Sequence, residues 1–267
     1  IIGIAFDADG GNLYFYKNGA VQNSGTAAYT GLTDGPYFFA FSLRDTGNTP
    51  SVNFGQREFA YAAPTNFKSL NTANLPTPTI ADGSKYFDAK LYTGNGTGQS
   101  ISNFGFSPDW VWIKPRSAGN YHNLYDIVRG VDKALFSNTT DGEVTYNGRL
   151  TSFDSSGFTV GNVSTAGVGT NENGTTFVSW AWDGGTSTVT NNDGSIASQV
   201  RANPSAGFSI VSFENGSGTV TVGHGLNAAP EFIITKSRDS TNNWQCYHSG
   251  MGNGKKIYLN STSAQVS

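Results

Sequence analysis

Reactive side chains are few in this chain, and most stand alone. Its three histidines are His122, His224 and His248, and its one cysteine is Cys246. Cys246-Tyr-His248 is the one close pair of ligating types, whereas a metal site draws several such ligands at short spacing. The expected reading is a buried cysteine beside a surface histidine, with no metal and no cofactor. Asp7-Ala-Asp9-Gly-Gly-Asn12 sets oxygens at alternate positions, as calcium loops do. It lacks their closing glutamate, and a hairpin turn accounts for the same residues. The 19 acidic residues are scattered, and none stands in a motif that predicts the facing carboxylates of a glycosidase. No catalytic residue is assigned, and an enzyme is not expected.

The sharper signal is a cationic pair that occurs twice, Lys114-x-Arg116 and Lys236-x-Arg238. In an extended strand, residues two apart share a face, so Trp110, Trp112, Lys114 and Arg116 point one way and Val111 and Ile113 the other. Phe232, Ile234, Lys236 and Arg238 repeat the pattern. Aromatic rings beside cations can hold a sugar, the ring stacking on the C–H face and the cation binding a hydroxyl or carboxylate. On that reading the candidate ligand-binding residues are Trp112, Lys114, Arg116, Tyr125, Lys236, Arg238 and Trp244. The preferred alternative is a structural ion pair of Lys114 or Arg116 with Asp126 on the next strand, kept in both places because the fold needs it.

These residues belong to a longer duplication. Pro108-Asp-Trp-Val-Trp-Ile-Lys-Pro-Arg116 returns as Pro230-Glu-Phe-Ile-Ile-Thr-Lys-Ser-Arg238 at an offset of 122. The register runs on through Tyr125/Tyr247, Leu135/Ile257, Phe136/Tyr258 and Asn138/Asn260. Upstream, Tyr92 answers to Phe213, one residue out of step. A period of this size marks tandem modules. The histidine and cysteine positions differ between the copies, so a fold unit was repeated rather than an active site. The second copy is expected to be cut short at Ser267, and the opening Ile1-Ile2-Gly3 suggests that the true N-terminus lies upstream.

Composition sets the class. Charged residues make up 13% and aromatics 13% of the 267 residues, with 34 glycines. β-branched and aromatic residues dominate the apolar runs, which points to an all-β fold. A net charge of −3 without a basic block argues against nucleic acid as partner. No apolar run is long enough to span a bilayer, so no membrane insertion is expected.

Along the chain, Ile2–Phe6, Leu13–Lys17, Tyr37–Ser42 and Ser51–Phe54 read as strands, with Asn18-Gly19 as a tight turn. Residues 63–85, with Pro64, Pro76 and Pro78, read as a linker. Further strands are expected at Phe87–Tyr92, Ser100–Ser102, Trp110–Lys114, Leu124–Ile127, Lys133–Phe136, Gly157–Val160 and Thr176–Trp182. The expected organisation is a partial sandwich over 1–62, a linker over 63–85, a first β-sandwich repeat over 86–184, a second linker over 185–206 and the start of a second repeat over 207–267. Asn-x-Ser/Thr triplets at Asn95, Asn138, Asn162, Asn173, Asn215 and Asn260 are expected by chance in so polar a chain.

Gly3-Ile-Ala-Phe-Asp, Gly11-Asn-Leu-Tyr-Phe-Tyr-Lys-Asn-Gly19 and Val52-Asn-Phe-Gly-Gln-Arg-Glu-Phe59 together resemble the second half of a SPRY domain, a concanavalin-like β-sandwich that serves as a binding module. With the Phe67-Lys-Ser-Leu-Asn-Thr-Ala-Asn-Leu-Pro linker and the Trp-Ile-Lys-x-Arg-Ser module, the whole chain resembles virion structural proteins of tailed bacteriophages, those of marine and cyanobacterial phages above all. The resemblance implies a component of a virion appendage such as a tail fibre, located in the extracellular particle. Its partners would be other virion proteins, further copies of itself in a homo-oligomer (a trimer being the guess) and a host-surface glycan. A capsid, neck or tail decoration protein without a glycan ligand, and a secreted bacterial lectin-like surface protein, are the alternatives.

Overall fold

The computed structural model describes residues 1–42, 47, 49–75, 78–162, 169–214 and 216–267. Pro76 of the expected linker and Asn215 of the expected triplets lie outside the described residues. Regular structure among the described residues is all β apart from four short 3-10 turns, and every named strand pairing is antiparallel. No described helix is long and apolar enough to cross a membrane. The chain divides into two compact units, Ile1–Pro78 and Thr79–Ser267, and the division falls inside the expected linker 63–85.

The first unit is built on a three-stranded meander of β1 (Ile2–Asp7), β2 (Asn12–Lys17) and β3 (Ala20–Val21). The Asp7 carboxylate accepts hydrogen bonds from the Gly10 N–H at 3.0 Å and the Asn12 side chain at 3.4 Å, which closes the β1–β2 turn. Those bonds hold its pKa below the ordinary aspartate value. At the second turn, Asn18 and Gly19 both take positive φ, 52° and 81°, as a two-residue hairpin loop demands. The strands expected at Tyr37–Ser42 and Ser51–Phe54 do not form. An apolar run becomes a strand only where a neighbouring edge takes its backbone bonds, and here Phe38, 87% exposed, Phe39 and Phe41 face outward instead.

The second unit starts with a two-sheet sandwich. Its strands in chain order are β4 (Phe87–Thr93), β5 (Gln99–Ile101), β6 (Trp110–Pro115), β7 (Asn123–Asp126), β8 (Lys133–Phe136), β9 (Val144–Thr145), β10 (Leu150–Asp154), β11 (Gly157–Val160) and β12 (Thr176–Trp182). One sheet has the order β4-β12-β6-β7-β8-β9 and the other β10-β11-β5. The core between them is made by alternate residues of the strands: Val111, Ile113, Tyr125, Phe136, Phe177 and Ala181 from the first sheet, and Ile101, Leu150, Phe158 and Val160 from the second. Burying each of the valine, leucine, isoleucine and phenylalanine side chains among these contributes about 1.5–3 kcal/mol.

Beyond this sandwich come β13 (Thr188–Asn191), β14 (Ser198–Asn203) and β15 (Phe208–Phe213), which form one sheet in that order. The expected linker 185–206 therefore holds two strands, β13 and β14. Thr188-Val-Thr-Asn and Ser198-Gln-Val-Arg-Ala-Asn are too polar to read as strands alone, and they are held by pairing with each other and with the apolar β15. A fourth sheet of this unit follows, β16 (Phe232–Thr235), β17 (Gln245–His248) and β18 (Ile257–Tyr258).

The 122-residue period is visible in these elements. β16, β17 and β18 stand at the positions of β6, β7 and β8, and β15 at that of β4 with the one-residue slip. The equivalence extends to single bonds. Asn138 Oδ1 accepts the His122 N–H at 2.8 Å, and Asn260 Oδ1 accepts the Trp244 N–H, also at 2.8 Å. Ser137 N–H donates to the His122 carbonyl, and Leu259 N–H to that of Trp244. The repeated asparagine thus ties the start of one strand to the end of the next in both copies.

Candidate functional site

The outer face of the six-stranded sheet carries an unusual density of indoles. Because β12 pairs with β6 in the register Trp180↔Trp112 and Trp182↔Trp110, four tryptophans meet on one surface. Ring centroids lie 4.5 Å apart for Trp110–Trp182, 5.8 Å for Trp112–Trp180 and 5.9 Å for Trp110–Trp112, all edge to face. Phe87 extends the row at 4.7 Å from Trp182, and Phe208 of β15 closes over Trp110 and Trp182 at 5.9 and 6.0 Å. Such aromatic pairs contribute about 0.5–1.5 kcal/mol each beyond the area they bury.

The second copy sits on one half of this face. Trp244 packs with Leu124 and Leu135, and Trp110, Trp112, Ile234 and Leu259 close around them. Its indole N–H donates to the Phe136 carbonyl at 2.8 Å, so its polar atom is satisfied inside the contact. Beside it runs a chain of charges. Arg238 grips Glu143 with two bonds of 2.9 and 2.8 Å, Glu143 also accepts from Arg129 at 3.2 Å, and Arg129 pairs with Asp126 at 2.5 Å. Backbone bonds join the copies as well: Glu143 N–H to the Arg238 carbonyl at 2.6 Å and Asn242 N–H to the Thr140 carbonyl at 3.0 Å. Glycine at 142 permits this approach, because a Cβ there would lie 2.8 Å from the Arg238 oxygen. Near β14, buried Asp109 forms an ion pair with Arg201 at 2.7 Å and accepts the Gly184 N–H at 2.8 Å. Burial raises the Asp109 pKa in spite of Arg201.

The other half of the face stays open. Trp180 is half-buried, and its cross-strand neighbour on β4 is the small, exposed Ala89. Val178 pairs with Leu91, which is 66% exposed, and with Lys114 on the other side. A flat aromatic ring, an apolar shelf and an ammonium group therefore share one rigid surface.

A family model described as a domain of unknown function, DUF7483, matches residues 82–267. The chain belongs to this family. The DUF7483 span takes in both copies of the repeat and nearly the whole second unit, from the 3-10 turn at Gly83–Lys85 onward. No curated protein and no solved structure matches the chain.

Within the DUF7483 domain, the seven candidate residues go to three places. Trp112 and Trp244 meet in the contact between the copies, and Arg238 is the link to Glu143 beside it. Tyr125 lies in the core at 0% exposure, its phenol pushed to a higher pKa by burial, and Trp244 is 5% exposed. Both side chains are packed inside the domain rather than on its surface. The reason is that β7 is buried at all four positions, covered by the sandwich core on one side and by the second copy on the other. Lys114 Nζ donates to the Pro115 carbonyl at 3.1 Å and Lys236 Nζ to the Ser237 carbonyl at 2.8 Å, the same fold-back in both copies. Arg116, by contrast, is exposed.

The expected ion pair of Lys114 or Arg116 with Asp126 is not what forms. Antiparallel register sets Asp126 opposite Trp110, so Lys114 comes level with His122 instead. Asp126 takes Arg129, three residues along its own chain. His122 has its pKa lowered by burial and by the Lys114 charge. Cys246 is 2% exposed with its thiol pKa raised by burial, as a packing residue should be. Sequence reasoning missed Glu143 and the Trp180–Ala89 neighbourhood, because both depend on which strands lie side by side.

Proposed function

We propose that this chain is a structural, non-enzymatic component of a tailed-phage virion appendage, such as a tail fibre, and that it attaches to host-surface glycan through the open half of its tryptophan face. One observation carries the glycan reading: the half-exposed Trp180 ring, set beside the small, exposed Ala89 and flanked by Leu91, Val178 and Lys114. Sugars present C–H faces that stack on such a ring, and a nearby cation adds a bond to a hydroxyl or carboxylate. The structural reading draws support from the repeat itself, since its shared residues serve to brace strands and to lock one copy on the other. The SPRY-like first unit and homo-oligomerisation, as a trimer on the resemblance to phage virion proteins, fit the same role. Several weak sugar sites on one oligomer would multiply avidity.

The test is a glycan array probed with the recombinant chain and with Trp180→Ala. The intact chain should bind a subset of surface saccharides, and the variant should lose at least tenfold in apparent affinity with an unchanged far-ultraviolet spectrum. Binding that survives in the variant would overturn the Trp180 site, and no binding at all would remove the glycan role. The second outcome would leave a decoration or scaffold protein, a reading favoured by how much of the repeat is spent on the contact between copies.

A further inference from the structure

The two copies of the repeat differ in one topological respect. In the first copy β6 is an interior strand, with β12 on one side and β7 on the other. In the second copy its counterpart β16 ends its sheet, and among the described residues it is paired with β17 alone. The side chains report the same difference. Val111 and Ile113 are fully buried, while their counterparts are open: Ile233 is 38% exposed and Thr235 is exposed. On the opposite face, Trp110 has the Trp182 ring at 4.5 Å, whereas its counterpart Phe232 is 54% exposed.

We infer that the free edge of β16 is an acceptor for one antiparallel strand patterned like β12. An unpaired edge offers a row of backbone donors and acceptors, and strand addition satisfies them. The first copy states what the occupant must look like, because β12 sets Ala181 against Val111 and Ser179 against Ile113, with Trp182 against Trp110 and Trp180 against Trp112. The occupant therefore has small residues on the face shared with Ile233 and Thr235 and large aromatics on the face shared with Phe232 and Ile234. That alternation selects both register and side, since a slip of one residue would drive indoles into the positions of Ala and Ser.

A synthetic peptide of residues 174–184, made soluble by terminal lysines, is the probe. Added in excess to the full chain, it should bind saturably and slow amide hydrogen exchange at Phe232–Thr235, while a peptide of scrambled order should not. Phe232→Asp, a change at an exposed position that spares the fold, should weaken peptide binding at least tenfold. The inference is overturned if the two peptides bind alike, if protection appears on another edge, or if Phe232→Asp binds as the parent does. It is also overturned if protection of Phe232–Thr235 rises with chain concentration alone, which would make a second copy of the chain the occupant.

Discussion

Replacing Trp244 with alanine should destabilise the second unit by about 3–5 kcal/mol, the usual range for deleting a buried indole. Trp244 is 5% exposed, wedged against Leu124 and Leu135, and its N–H satisfies the Phe136 carbonyl. Truncation would open a cavity between the copies and remove the shorter of the two hydrogen bonds to that carbonyl, leaving the Thr139 N–H at 3.3 Å. In urea titrations the variant should unfold at a clearly lower midpoint. Trp244→Phe restores most of the volume but not the hydrogen bond, and should recover part of the loss. A loss below about 1 kcal/mol for the alanine variant would mean that the second copy does not rest on the first as described.

Glu143 should come next in effect. It holds Arg238 from the second copy and Arg129 from the first, with its own side chain 11% exposed. Removing one partner from a buried ion pair costs about 3–5 kcal/mol. Arg238 is 39% exposed and can turn to water, so about 2–3 kcal/mol is expected for Glu143→Gln. Acid should act on the same group. Burial works against the Glu143 charge, but the Arg238 hydrogen bonds and the Arg129 charge outweigh it and hold the pKa below the ordinary glutamate value. A carboxyl with a depressed folded pKa contributes stability above its unfolded pKa and loses it as pH falls through the folded one. The midpoint of the parent chain should therefore drop more steeply than that of Glu143→Gln as pH is lowered past the ordinary glutamate range. Parallel pH profiles would show that Glu143 is not coupled to folding.

What the sequence conveyed was the repeat and the strands with strong alternation. Lys133–Phe136, Gly157–Val160 and Thr176–Trp182 form as read, and the offset of 122 foretold β16, β17 and β18. It conveyed little where a strand owes its existence to neighbours. The polar β13 and β14 resembled a linker, and the aromatic run at Tyr37–Ser42 resembled a strand that does not form. The candidate site shows the same division. That Trp112 and Arg238 matter was legible from the repeat, whereas Trp244 has His122 as its counterpart there, and the purpose of all three was not legible. The two lysines of the repeated pair do the same work, each bonding to the next carbonyl, whereas the two arginines have parted: Arg116 is exposed and Arg238 joins the copies. Identity at an aligned position revealed a shared strand, and only the contacts revealed which role had been kept.

The central claim is that the two copies form one locked body, and native-state hydrogen exchange in rising urea tests it most directly. The segments Asn123–Asp126 and Gln245–His248 are equivalent in the repeat and lie on opposite sides of the contact. Segments that open together share one free energy and one denaturant slope. Both segments should exchange through the same opening, with equal free energies and slopes. If Gln245–His248 opens at markedly lower free energy while Asn123–Asp126 stays protected, the copies are independent modules and the account fails.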